Sequence, residues 1–266
     1  TEQEQISSGW LPEAYKAYKT YKLDFHDKDK YEEKKDFPVL DPSLPGVIIA
    51  GPWRGSSEAL MEFKKSLKSW QALSDWPLFA DPLSCISRDQ PGLIQNWELN
   101  LPFGIDLFDP DIQVLRLGPL PCSRNLEKWL KSIRGTQLLI TEGDSRRLDP
   151  LGLAIQWSGG FAGWVTLNAL NSKSSKHLKK LSEKSLLVRW KEIDLKTNLW
   201  LEQKLPLEGI VNEPALARLL PQLWPANLPV MLSASSPVRD WLAFAGIGAF
   251  SGRCFGFRGA SGIDGT

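Results

Sequence analysis

The chain reads as an α/β protein on an open, mostly parallel sheet, and three observations carry that reading. Val47-Ile48-Ile49-Ala50 and Val114-Leu115-Arg116-Leu117 are short strand-like runs, and each stops at a Gly-Pro pair, Gly51-Pro52 and Gly118-Pro119. An apolar stripe at helical spacing follows each pair: Leu60, Phe63, Leu67 and Trp70 after the first, Leu126, Trp129, Leu130 and Ile133 after the second. A further strand closes each unit, at 77–80 and 136–141. Continuous rather than alternating hydrophobicity is what strands need when helices cover both faces of the sheet. The order strand, turn, helix, strand is a crossover unit, nearly always right-handed.

Taken in order, residues 1–43 are polar and charge-dense and read as a linker or the tail of a preceding domain. A short helix is expected where Tyr15, Tyr18 and Tyr21 recur. Residues 44–208 form the main domain. Within it, 87–110 carry Pro91, Pro102 and Pro110 and read as loop, with a short helix around 93–99. Ile155 opens an apolar piece with a Ser-Gly-Gly turn, Lys173–Lys184 reads as a solvated basic helix, and an amphipathic segment runs from Leu186 to Leu207. A second domain begins at 209. Asn212-Glu213-Pro214 starts a helix with an apolar face at Leu216, Leu219, Leu220 and Leu223, ended by Pro221 and Pro225. Val230-Met231-Leu232 is the next strand. Ser236 as N-cap and Pro237 at the first helical position open the helix after it, and a second apolar piece leads to Arg258-Gly-Ala-Ser-Gly-Ile-Asp-Gly265.

Composition narrows the function. A net charge of +1 over 266 residues calls for neither nucleic acid nor an anionic membrane as partner. No apolar run approaches the ~18 residues of a membrane span, and no signal segment opens the chain, so a cytoplasmic location is expected. Cys85, Cys122 and Cys254 are sparse and make no CxxC, which suits reduced thiols. The twelve tryptophans read as core fillers. Thr1 is not preceded by Met, and Thr266 follows directly on a glycine-rich turn, so a segment of a longer polypeptide is expected.

His26 and His177 both lie in charged segments, so no Ser/His/Asp set assembles around either. No zinc spacing, no GxGxxG and no P-loop occurs, and the Gly-Pro turns read as packing devices. Glu142 and Asp144, beside Arg146 and Arg147, read as a salt-bridge cluster as readily as a carboxylate pair. What remains is a cationic, Ser/Gly-lined crevice of Arg147, Arg239 and Arg258 with Ser235 and Ser236, each arginine following a predicted strand. The guanidinium fork matches a carboxylate or phosphate by paired hydrogen bonds, so a polycarboxylate or a phosphate is the expected ligand.

SASSPVRD at 233–240 and RGASGIDG at 258–265, preceded in order by GVIIAGPW, LFADPLS and RRLDP, resemble the thiamine-diphosphate-dependent MenD family, the 2-succinyl-5-enolpyruvyl-6-hydroxy-3-cyclohexene-1-carboxylate synthases. The resemblance covers roughly residues 44–266. It implies a transferase of menaquinone or phylloquinone biosynthesis that decarboxylates 2-oxoglutarate and adds the succinyl-semialdehyde unit to isochorismate. It also implies a Rossmann-like middle domain at 44–208 and the truncated start of the diphosphate-binding domain at 209–266. The cofactors implied are thiamine diphosphate and Mg2+ or Mn2+, and the enzyme would be a dimer or tetramer.

By the same resemblance, Arg239 and Arg258 hold substrate carboxylates with Ser235 assisting, and Arg147 reaches in from the middle domain. Ser235, Ser236, Gly262 and Ile263 belong to the cofactor. No catalytic or metal residue is expected in this chain, because the activating glutamate and the later Gly-Asp-Gly…Asn motif have no counterpart. The fragment alone would then be inactive. Where the family often has Gly-Asn-Ser, this chain has Ser233-Ala234-Ser235, and Ala234 lacks the side-chain amide for that contact to the cofactor. Two other readings stay open at this level: a non-catalytic module binding a carboxylated metabolite, and a different thiamine enzyme, which the arginine pair argues against.

Overall fold

The computed structural model describes residues 37–171, 185–205, 212–225, 227–246 and 253–256. The chain divides into two units, Thr1–Phe37 and Pro38–Thr266, and every element below belongs to the second. The expected helix near Tyr18, the basic segment 173–184, and His26 and His177 lie outside the described residues.

Five parallel strands form the first sheet in the order β2-β1-β3-β4-β5: β1 (Gly46–Ala50), β2 (Leu78–Ala80), β3 (Gln113–Leu117), β4 (Gln137–Ile140) and β5 (Ile155–Trp157). Registers such as Ile49↔Arg116 and Leu117↔Ile140 align the strands. Helices α1 (Ala59–Ser74), α2 (Trp97–Gly104), α3 (Arg124–Ser132), α4 (Phe161–Asn171) and α5 (Leu186–Lys204) flank the sheet, giving the expected α/β Rossmann-like architecture. Val47, Ile48 and Ile49 have no exposure, as strands covered on both faces require.

The order reverses between β1 and β3, where an open sheet usually binds its ligand. Here the two Gly-Pro turns fill that switch point themselves. Gly51 N donates to Leu117 O at 2.9 Å and Gly118 N to Ile140 O at 2.9 Å. A β-carbon on Gly51 would fall 1.4 Å from the Pro119 carbonyl oxygen, so only glycine fits. The hollow left beside them is about 20 Å³, too small for a nucleotide.

The core is aromatic. Trp190 of α5 meets Phe79 at 4.9 Å and Phe108 at 5.2 Å, and Phe79 stacks on Trp97 at 5.4 Å. Seven tryptophans are buried among the described residues, so the core-filler reading holds for most of the twelve.

Residues 87–110 are more ordered than loop. α2 starts at Trp97, carries Pro102 within it, and is followed by a 3-10 turn at Ile105–Leu107. Its N-cap, Asn96, makes no side-chain cap. The cap comes from α5, where Asp194 accepts from the amides of Gln95 (2.9 Å) and Asn96 (2.8 Å). The cap of α3 is local: Ser123 Oγ accepts from Leu126 N at 3.0 Å. Ser123→Ala should cost about 1 kcal/mol, readable as a small shift of the urea midpoint, and an unchanged midpoint would deny the cap its role.

Helices α6 (Glu213–Leu223) and α7 (Ser236–Phe244) pack with a second, two-stranded parallel sheet of β6 (Val230–Leu232) and β7 (Cys254–Gly256). Asn212 caps α6 as expected, accepting from Ala215 N at 2.9 Å. Two expectations for α6 fail. Pro221 lies inside the helix, in its last turn, where the lost amide costs a single bond. The leucine face is only partly buried: Leu219 and Leu220 are half-buried, with Leu220 on the second-sheet core, but Leu216 and Leu223 are 45% and 69% exposed, while Ala215, Ala217, Arg218 and Pro221 turn inward. The buried Arg218 sets that rotation, donating to Asn198 O at 3.1 Å and standing 3.5 Å from Glu202.

The two sheets interlock. Leu83, from the 3-10 turn Pro82–Ser84 after β2, packs into the cluster of Val230, Leu232, Val238 and Trp241. Leu242 of α7 packs into the core of the first sheet.

Candidate functional site

The site nearest the expected crevice is the turn from β6 into α7. Ser235, not Ser236, is the N-cap of α7, and Pro237 stands in the first turn. At φ +70° Ser235 is strained for a side-chain-bearing residue, and its hydroxyl makes no cap bond. Ser236 Oγ donates instead to Asp240 Oδ2 at 2.9 Å. Arg239 Nη2 donates to Ser235 Oγ at 3.4 Å. The backbone therefore brings Ser235, Ser236 and Arg239 together, all exposed, at a helix start whose amides no N-cap side chain serves. That donor set fits the diphosphate of a cofactor, since an uncapped helix N-terminus favours anionic oxygen.

Arg239 also lines a cleft of about 300 Å³ with Glu98, Cys122, Asn125 and Asp240. Burial raises the Glu98 carboxyl above its ordinary range. Neither Asn125 nor Glu98 carried a sequence signal, because only the packing of α2 and α3 beside α7 brings them to Arg239.

Arg147 is exposed and does not line this cleft. The loop that carries it is held tightly. Gln156 accepts from Leu148 N at 3.0 Å and donates to Arg146 O at 2.7 Å, gripping the backbone on both sides of Arg147. Asp149 then accepts from the amides of Leu151, Leu153 and Ala154 and pairs with buried Arg116 at 2.9 Å. The expected salt-bridge cluster is narrower than its residues suggested. Asp144 pairs with Arg146 at 2.7 Å, while Glu142 instead accepts from Phe161 N at the start of α4. Arg258, Gly262 and Ile263 lie outside the described residues.

A second cleft, of about 520 Å³, lies where the turns after β1 and β4 face β7. Arg54, Arg146 and Arg253 line it with Asp144, Trp53 and Phe255. Cys85 and Cys254 also reach its wall. Burial pushes the Cys254 thiol up to about 12, so it is neutral there. All three cysteines are free. Among the described residues no group of three or more His, Cys, Asp and Glu could hold a metal ion, and no helix is long and apolar enough to cross a membrane.

Fold and site together define an α/β protein of Rossmann-like architecture that presents arginine and a helix start without an N-cap side chain beside parallel strands. No family model matches the chain. It is 56% identical over 228 residues to the 2-succinyl-5-enolpyruvyl-6-hydroxy-3-cyclohexene-1-carboxylate synthase of Prochlorococcus marinus (strain MIT 9303), covering 86% of this chain and 39% of that protein. Its identity to the synthase of Prochlorococcus marinus (strain NATL2A) is 48% over 269 residues, covering 100% of this chain and 44% of that protein. To the synthase of Synechococcus sp. (strain CC9902) it is 52% over 236 residues, 88% of this chain and 40% of that protein. Over the stretch it covers, the chain belongs to this synthase family, and it spans about two fifths of the length of the curated relatives it matches.

Proposed function

We propose that the chain is the middle domain, with the start of the diphosphate-binding domain, of a thiamine-diphosphate-dependent synthase that decarboxylates 2-oxoglutarate and adds the succinyl-semialdehyde unit to isochorismate. The observation that carries this reading is the Ser235–Arg239 pair at the uncapped start of α7, in a chain so similar to these synthases. Both substrates are carboxylates, and Arg239, steadied by Ser235, offers the fork that binds and orients one of them. The amides at Ser235 and Ser236 would hold the diphosphate, and by the family resemblance Gly262 and Ile263 would belong to the same cofactor site. Bound thiamine diphosphate would supply a nucleophilic carbon for the keto group of a 2-oxo acid and an electron sink for the loss of CO2. Arg258 is the second carboxylate holder, and Arg147 approaches from the middle domain. Mg2+ or Mn2+ and the activating glutamate are bound or supplied by residues outside this chain, and the enzyme works in the cytoplasm as a dimer or tetramer. Family membership favours this reading over a non-catalytic module.

In the full-length enzyme, Arg239→Ala should lower kcat/KM about 100-fold, the worth of one charge-assisted paired contact, and Arg258→Ala comparably. Wild-type turnover in either variant sinks that residue's role.

A further inference from the structure

We propose that the Arg239 cleft takes up a proton together with its ligand, and that Glu98 carries it, as a neutral acid that donates to the carboxylate Arg239 holds. This rests on the role given to Arg239 above and adds a second contact to it. Glu98 stands in the first turn of α2 and lines the cleft of about 300 Å³ that α2 and α3 form with α7. The residue is half-buried, and its Oε2 is buried with no hydrogen-bond partner among the described residues. The Ser123 hydroxyl donates to the carboxyl, and none of the ion pairs among the described residues includes it. A carboxylate with one oxygen shut away from water and unpaired is costly. As a neutral acid the group leaves only a carbonyl oxygen unpaired, and it has an O–H to give. Burial accordingly raises the Glu98 carboxyl, against the Ser123 bond that lowers it.

The charges around the cleft favour the same state. The titratable groups that line it with Glu98 are Cys122, before α3, and Arg239 and Asp240 of α7. Asp240 accepts from Ser236 Oγ at 2.9 Å, so a hydroxyl already serves it. From α5, Asp194 takes the amides of Gln95 and Asn96 at the start of α2. A second negative charge in the next turn is disfavoured by that first one. With Glu98 ionised, the wall of the cleft holds two carboxylates against one guanidinium, and an incoming carboxylate is repelled. With Glu98 neutral the charges balance, and the ligand meets Arg239, the carboxyl O–H and the exposed Asn125 side chain. An acid O–H on a carboxylate is one of the short, charge-assisted hydrogen bonds. The bound carboxylate in turn opposes ionisation of Glu98, so ligand and proton bind together.

The test is the pH profile of KM and kcat in the full-length synthase, for whichever of 2-oxoglutarate and isochorismate loses kcat/KM in Arg239→Ala. The protonated form is the binder, so affinity is full below the raised folded-state value of Glu98 and is lost as pH rises through it. KM should climb toward about tenfold per pH unit above that value, with kcat little changed. Glu98→Gln, whose amide donates at every pH, should flatten the climb and bind at least as well as wild type at the alkaline end, a gain that no merely structural lesion produces. Glu98→Ala should lose about tenfold in kcat/KM at the acid end and little at the alkaline end. An unaltered climb in Glu98→Gln, or a loss in Glu98→Gln as large as in Glu98→Ala, would overturn the proposal and leave Arg239 its role. Wild-type kcat/KM for both substrates in Arg239→Ala would end both.

Discussion

Asp149→Ala should destabilise the protein by about 3–5 kcal/mol, because it strands a buried charge. Arg116 has no exposure at all, and its Nε and Nη1 have no hydrogen-bond partner among the described residues, so Asp149 is its compensation. The same carboxylate also holds three backbone amides, at 3.1, 2.6 and 2.8 Å. The two halves of the pair are thus unequal. Arg116→Met leaves Asp149 with those three donors and should cost clearly less, and equilibrium urea unfolding of both variants orders them. A loss from Arg116→Met equal to or above that from Asp149→Ala would refute the asymmetry. Burial alone would raise the Asp149 carboxyl, but the Arg116 bond and the amides outweigh it and hold the group below the usual aspartate range. The sign follows: this stabilisation is fully present above about pH 4, and it is lost as pH falls through the lowered folded-state value. The gap between wild type and Asp149→Ala should therefore narrow in acid.

Trp190→Ala should cost a similar amount, about 3–5 kcal/mol, and lower Tm by roughly 10 °C. The indole is fully buried between Phe79 and Phe108, and a β-carbon on Gly104 would come within 2.6 Å of it. Its removal opens a cavity where α5 meets the sheet. Because Asp194, on the same helix, caps α2, the damage spreads beyond packing: amides at the start of α2 should lose hydrogen-exchange protection. Protection retained at Gln95 and Asn96 in the variant would show that the cap does not depend on the tryptophan.

β1 and β3 were the most legible strands of the first sheet because each is a mainly apolar run ended by Gly-Pro, a signal local to its segment. α2 was harder to see. Its proline argues for loop, and the carboxylate that caps it stands 98 residues away on another helix. The inward face of α6 was misread for a related reason. Leucine spacing picked one stripe, while the partners of Arg218 on α5 turned another one inward. At the site, Ser235 and Arg239 were both named from the sequence, Ser235 as an aid to Arg239 by the family resemblance, but the hydrogen bond between them is seen only in the structure. The neighbours Glu98 and Asn125, and the triad of Arg54, Arg146 and Arg253, come from segments far apart in the chain, which no local pattern joins.

The exchange of Leu83 and Leu242 between the two sheets has a mechanical meaning. Each sheet lends a side chain to the other's interior, so neither interior is complete while the other is open. A joint of that kind is a rivet rather than a hinge. The two sheets should melt in one cooperative step, and the angle between the Arg54–Arg146 wall and the β7 wall is then fixed by the same contacts that hold the fold together.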